Sequence, residues 1–137
     1  MQDITITLTA RHLVEGEWDE TSHQYPGRYV EKAKAWYVTY TEQMPDIGDV
    51  ATTLRLGQNS VTLIRQGSVS TRQQFEKGKS THSVYQSPYG PFDMETHTNK
   101  LRIHYEQEKP SEVEIAYQLW MNGQYAGEHH LQIKLEA

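Results

Sequence analysis

Residues 61–98, VTLIRQGSVSTRQQFEKGKSTHSVYQSPYGPFDMETHT, are the stretch whose reading decides the fold. It alternates with a period of two, as half-buried β-strands do. The face holding Val61, Leu63, Val69, Phe75 and Tyr85 also holds Arg65, Thr71, Gln73, Thr81 and Ser83. A strand wall with a polar inner face is either the lining of a ligand site or an unusually polar core.

The turns inside the stretch test its register. A three-residue loop Glu76-Lys77-Gly78, with Gly78 in the left-handed region, sets Phe75 opposite Lys79. Gln73 then pairs with Thr81, Thr71 with Ser83 and Val69 with Tyr85. The opposite face, Ser70, Arg72, Gln74, Ser80, His82 and Gln86, has only Val84 as an apolar member and belongs to solvent. The same parity points Arg65 inward, unless Gly67 forms a bulge that resets it. After the turn Ser87–Gly90, the residues Phe92, Met94, Thr96 and Thr98 face in.

Further on, a two-residue loop Asn99-Lys100 pairs Thr96 with Ile103 and Met94 with Tyr105, and both faces of that hairpin agree. Gln107–Ser111 reads as a polar turn around Pro110. Val113, Ile115, Tyr117 and Leu119 line one face of the next strand. A two-residue turn at Asn122-Gly123 would place Glu128, His130 and Gln132 inside. A three-residue loop Met121-Asn122-Gly123 with a glycine bulge is therefore expected, since a one-residue slip turns a whole strand over. It places Ile115 opposite His129 and Val113 opposite Leu131.

Towards the N-terminus, Ile4, Ile6, Leu8 and Ala10 alternate with threonines in a strand over Asp3–Leu13. Val14–Gly27 carries clustered acids, Gly16 and Pro26-Gly27, and reads as a long loop with Trp18 as a lid anchor. In Arg28–Glu42 a helix competes with two strands, Arg28–Lys32 and Trp36–Glu42, around a turn at Ala33-Lys34; the β-prone Trp36–Thr41 favours the strands. Gln43–Asp49 is a loop, Val50–Leu56 a strand and Gly57–Asn59 its turn.

The chain has 137 residues, enough for one domain spanning 1–137 with a core that needs no staples. It has no cysteine, so disulfides, thiolate nucleophiles and Cys-containing metal sites are excluded. With a net charge of −5 and dispersed acids, it lacks the basic footprint of a nucleic-acid binder. No run approaches the roughly 20 apolar residues of a membrane helix. The N-terminus alternates where a secretory leader would be basic and then apolar, so a cytoplasmic location is expected. About nine to eleven short strands joined by tight turns predict an all-β, antiparallel up-and-down β-barrel.

Arg65 and Gly67 in LIRQGSVSTRQQF, Phe75 and Gly78 in FEKGK, and Tyr85, Pro88 and Gly90 in YQSPYG carry a resemblance across nearly the whole chain. MET at 94–96, YQLWMNGQYAGEH and the GRYVEK opening add to it. The chain resembles the YwiB-like family of uncharacterised bacterial proteins. That resemblance implies a calycin-type, lipocalin-like barrel of about eight to ten strands and supports two strands over the helix. Thr71 stands where the family tends to carry methionine, and Ser87 where it tends to carry threonine.

Arg65 is the sharpest candidate. A guanidinium pointing inward stays charged and requires acceptors. No Asp or Glu falls on the inner face of the best-patterned strands, which favours a ligand carboxylate or phosphate. The plainer alternative is an arginine plugging the barrel end against carbonyls and a ring such as Trp36 or Tyr85. The predicted ligand site is Arg65, Thr71, Gln73, Thr81, Ser83, Tyr85 and Tyr117, with Phe92, Met94 and Ile103 as apolar wall.

Neighbouring His129 and His130 must point to opposite faces. His97 and His104 face solvent. His12 and His129 meet only if the first and last strands close the barrel. No metal site, cofactor or catalytic set is predicted: phosphate loops, serine elbows and HExxH are absent, and His82 lies on the face opposite Ser83.

The leading expectation is a non-enzymatic barrel binding a small amphiphilic or anionic molecule. Its rival is a filled barrel engaging a protein partner, or a second copy, through Trp120, Tyr89 and the acidic segment Glu15–Glu20. An enzyme ranks third. The first two part on an enclosed cavity above about 300 Å³ with Arg65 on its wall.

Overall fold

The alternation is realised throughout: the computed structural model, which describes residues 1–137, is all strand and turn. The strands are β1 (Gln2–Val14), β2 (Glu17–Lys32), β3 (Ala35–Met44), β4 (Gly48–Leu56), β5 (Val61–Gly67), β6 (Thr71–Phe75), β7 (Ser80–Ser87), β8 (Gly90–Glu106), β9 (Lys109–Met121) and β10 (Gln124–Glu136). They form one ten-stranded antiparallel sheet in the order β6-β5-β4-β3-β2-β1-β10-β9-β8-β7. Consecutive strands pair in ladders except β6 and β7, and β1 pairs with β10 from Thr5–Glu136 to Leu13–Glu128. The sheet curls until its two edges, β6 and β7, meet at a single backbone bridge between Ser70 and Gln86. The result is a nearly closed up-and-down barrel.

One long segment expected as a loop is strand. Val14–Gly27 is mostly the first half of β2, paired with β1 from Val14–Glu17 onward around a tight turn at Glu15-Gly16. Trp18 lies on the outer wall there, edge-on to His130 at 5.0 Å and under the Arg11 guanidinium at 4.7 Å, so it anchors no lid. The turn at Ala33-Lys34 forms as expected, with both residues at positive φ (51° and 66°). That is the geometry a two-residue hairpin demands.

Three registers differ from expectation, each for a physical reason. The Asn99-Lys100 hairpin does not exist: β8 runs straight through, with a bulge at Asn99, and turns at Gln107-Glu108. Thr96 pairs with Leu119, and Ile103 with Val113. A two-residue turn and a one-residue bulge both exchange the inner and outer parity, so agreement of the faces could not tell them apart. At Asn122-Gly123 the two-residue turn is real, pairing Gln124 with Met121. Parity is restored two residues later by a bulge at Ala126-Gly127, and Leu131 then pairs with Ile115, not Val113. Finally, β6 and β7 form no ladder. The Ser70–Gln86 bridge implies a register two residues from the expected one, a slip that leaves every side chain on its predicted face.

The interior divides along the barrel axis. The end closed by turns 33–34, 57–60 and 107–108 is filled by Ile4, Ile6, Val38, Leu54, Leu56, Val61, Leu63, Phe75, Val113, Ile115, Ile133 and Leu135. Apolar burial of this kind, worth roughly 25 cal/mol per Å², is the main stabilising term. The end beside turns 15–16, 45–47, 68–70, 88–89 and 122–123 mixes buried Val50 and Val69 with the polar side chains of Glu42, Thr52 and Thr71.

Candidate functional site

β5 delivers Arg65 to that polar end. It shares the inward parity of Val61 and Leu63, and Gly67 (φ 137°) lies after it, so the bulge does not reset it. Its partner comes from β3. Glu42 follows the buried Val38 and Tyr40 at the same parity and is itself buried, an inner-face acid on a strand outside the best-patterned ones. The Nε–H of Arg65 donates to Glu42 Oε1 at 3.0 Å and Nη2–H to Oε2 at 3.4 Å, a two-pronged contact. Thr52, opposite Arg65 on β4, donates its hydroxyl to Glu42 Oε1 at 2.7 Å.

Burial alone would pull the Arg65 pKa down. The Glu42 charge and hydrogen bond more than offset it, and the net shift is upward. Tyr40 is pushed well above the usual phenol value, first by burial and then by Glu42, and Tyr25 is raised by the same causes. Their rings lie 5.1 Å apart. Burial lifts Tyr117 to about 12. These phenols stay protonated at neutral pH and offer hydrogen bonds, not charge.

Thr71 and Gln73 are buried on β6, while Thr81, Ser83 and Tyr85 on β7 are half-buried. Gln73 Nε2–H donates to Thr96 Oγ1 at 2.9 Å, and Thr81 Oγ1–H to the Gln74 carbonyl at 2.7 Å. Thr71, directly opposite Arg65 on β5, buries its hydroxyl with no partner, as does Thr98 on β8. Tyr117 packs on Phe75 at 4.9 Å and stacks on His129 at 5.2 Å. His129 is cross-strand partner to His12, with rings stacked at 5.7 Å, because β1 and β10 close the barrel. Of the predicted site residues, Arg65, Thr71 and Tyr117 thus border the polar interior, Gln73 is spent on Thr96, and Thr81, Ser83 and Tyr85 flank it on β7. Phe92 and Met94 lie on the same face as Thr96, whereas Ile103 belongs beyond the Asn99 bulge.

The two-pronged ion pair changes the chemistry. Arg65 has five N–H donors; Glu42 takes two, leaving three unclaimed. Its positive charge, however, is already balanced. Five concavities on the protein have volumes of 310–470 Å³, and Arg65 lines none of these five. The outer wall carries one cluster with metal-ligating atoms, His104, Glu112 and Glu114. Those carboxylates are already engaged, Glu112 by Gln132 at 2.7 Å and Glu114 by Lys100 at 3.4 Å.

Ten antiparallel strands in sequential order, a nearly closed wall and no helix define an up-and-down β-barrel protein with an apolar and a polar end. A family model described as "Domain of unknown function (DUF1934)" matches residues 6–133, and the chain belongs to that family. It is 26% identical over 137 residues to the "Uncharacterized beta-barrel protein YwiB" of Bacillus subtilis (strain 168), covering 98% of this chain and 95% of that one. The crystal structure of ywiB protein from Bacillus subtilis superimposes with a TM-score of 0.84 at 24% identity, covering 98% and 91% of the two chains. That likeness supports the barrel. No helix here is long and apolar enough to cross a membrane.

Proposed function

We propose that the barrel is a binding protein for a small amphiphilic molecule, held at the polar end of the interior. The observation that carries this reading is the Thr71 hydroxyl, buried without a partner directly opposite Arg65. A buried unsatisfied hydroxyl costs about 1–3 kcal/mol, and three free N–H groups of Arg65 stand beside it. Together they suit a ligand oxygen. Phe75, Tyr117 and Met94 supply apolar contact for the rest of the molecule. Glu42 removes the case for a bare anion, because a second carboxylate or phosphate at Arg65 would meet a carboxylate already there.

A second reading, a filled barrel acting through its surface, is favoured by the absence of Arg65 from every concavity described above. On that reading the contact surface includes Tyr89 (75% exposed) and the Trp120–Tyr125 pair, with Trp120 itself only half-buried. Thermal-shift and native mass-spectrometric screening of neutral amphiphiles, carboxylates and phosphates, on the intact chain and on Thr71→Val, separates the two. A ligand whose stabilisation is lost in Thr71→Val supports the interior site. A chain that no small molecule stabilises, but that captures a protein partner through Tyr89 or Tyr125, overturns it.

A further inference from the structure

The wall of the barrel is held unevenly. Every neighbouring strand pair carries a ladder except β6 and β7. These two are joined by the Ser70–Gln86 bridge, whose reciprocal N–H···O bonds measure 2.9 and 2.8 Å, and by the Thr81 hydroxyl on the Gln74 carbonyl. Backbone groups alternate sides along a strand. The alternation that aims Ser70 at Gln86 therefore aims Arg72 and Gln74 at His82 and Val84 across the same seam.

Directly behind this weak line lies a stripe of uncharged polar side chains: Thr71 and Gln73 on β6, Thr96 and Thr98 on β8. Both hydroxyls that the protein buries without a partner, those of Thr71 and Thr98, belong to this stripe. The remaining interior wall, β1 to β5 with β9 and β10, is dominated by the apolar core. The unfilled hydrogen-bonding capacity of the interior and the unpaired stretch of its wall thus coincide.

Resting on the reading of the interior as a binding site, we infer that its ligand enters through the β6–β7 seam and lays an uncharged, hydroxyl-bearing part, of the polyol or sugar class, along the stripe that runs from Thr71, opposite Arg65, to Thr98, bonded to the 78–79 turn. Threonine hydroxyls both donate and accept, and a ligand hydroxyl answers both roles. A carboxylate brings no donor, and any anion faces Glu42; a cation faces Arg65. An apolar group would leave the two hydroxyls unpaired. Entry from the side also explains how a buried site is reached, because the seam parts by breaking one backbone bridge and the Thr81–Gln74 and Gln73–Thr96 bonds while the ladders stay intact.

The chain contains no cysteine, so Arg72→Cys with Val84→Cys creates the sole thiol pair, facing each other across the seam in the register of the Ser70–Gln86 bridge. The experiment is an NMR titration of this variant, reduced and oxidised, with ribitol as the neutral polyol and succinate and inorganic phosphate as charged counterparts. Ribitol should shift the resonances of Thr71, Gln73, Thr96 and Thr98 saturably in the reduced form. Oxidation should slow its association by about tenfold or more, since binding then loses its opening step, and reductant should restore it. Ser70→Pro removes one bridge donor, and it should speed association even if the disulfide does not close. Association unchanged by either variant overturns the entrance. Interior shifts with succinate or phosphate but not ribitol overturn the ligand class while leaving an interior site standing. No interior shift with any probe overturns both this inference and the binding reading beneath it.

Discussion

The pair Arg65–Glu42 places two opposite charges where a barrel of this size could have placed leucines. Such a pair contributes little net stability, because desolvation consumes most of the Coulomb gain. Breaking it is another matter. Glu42→Gln leaves Arg65 without its counter-charge, with Arg65 about 20% exposed and the Glu42 side chain 7% exposed. Denaturation in urea should show a loss near the low end of the 3–5 kcal/mol range for stranded buried charges, about 3 kcal/mol, because water reaches part of the guanidinium. The double replacement Glu42→Leu with Arg65→Met should be far less costly than the single one. A single-variant loss below about 1 kcal/mol would mean the pair behaves as a surface bridge.

His129 provides a pH dependence of calculable sign. Burial pulls its pKa below the ordinary 6.5; the hydrogen bond its Nε2–H donates to the Ala126 carbonyl opposes this, and neighbouring His12 and His130 pull it further down. The unfolded chain then binds a proton more readily than the folded one. Its contribution to stability is complete above about pH 6.5 and shrinks as pH falls below that value. The urea midpoint of the parent should therefore fall more steeply than that of His129→Gln between pH 7 and 5. Equal slopes would contradict the assignment. At this scale alternation made the inward aim of Arg65 and His129 legible. Glu42 was missed because Trp36–Glu42 has β-formers on both parities, and only the position of Arg65 shows which face is inner.

Among the elements, β10 shows how one residue sets the orientation of a strand. The Asn122-Gly123 turn leaves β10 with charged residues directed inward, and the bulge at Ala126-Gly127 reverses this. Gly127 has φ 101°, and a Cβ there would sit 2.5 Å from the Leu13 carbonyl oxygen of β1. Gly127→Ala should thus cost more than the roughly 1–2 kcal/mol of a left-handed alanine alone. Gly123→Ala, at φ 79° but with open space around it, should cost about that backbone penalty. Comparable urea midpoints for the two variants would show that the bulge relaxes. Strands and their faces were readable from period-two patterning, but the devices that flip parity were not. A bulge and a tight turn leave the same alternation behind, and only the pairing partner tells them apart. Asn99 and Gly127 are the two places where that ambiguity misled the reading. The β6–β7 seam has a different origin, because slipping by two residues conserves every face and so leaves no trace in the pattern.

For the molecule as a whole, closing the ring of strands through β1 and β10 moves the open edges to the middle of the chain. A fully laddered barrel has no edge to fray; this one retains a single short line where β6 faces β7. Opening along it breaks the two bonds of the Ser70–Gln86 bridge, the Thr81–Gln74 contact and the Gln73–Thr96 bond that ties β6 to β8. At about 0.5–1.5 kcal/mol net per bond, roughly 2–6 kcal/mol for the four, that lies at or below the low end of the 5–15 kcal/mol of global unfolding typical of domains. The amides of Ser70 and Gln86, hydrogen-bonded to each other's carbonyls across the seam, should therefore exchange with solvent by local opening. Those of Ile115 and Tyr117, locked between β8 and β10, should wait for the whole barrel. In native-state hydrogen exchange at rising urea, the opening free energy of the first group should stay flat. That of the second should fall with the slope of global denaturation. If the Ser70 and Gln86 amides instead follow the steep line together with Ile115, the seam opens only with the whole barrel, and neither a side entrance nor a mobile wall can be built on it.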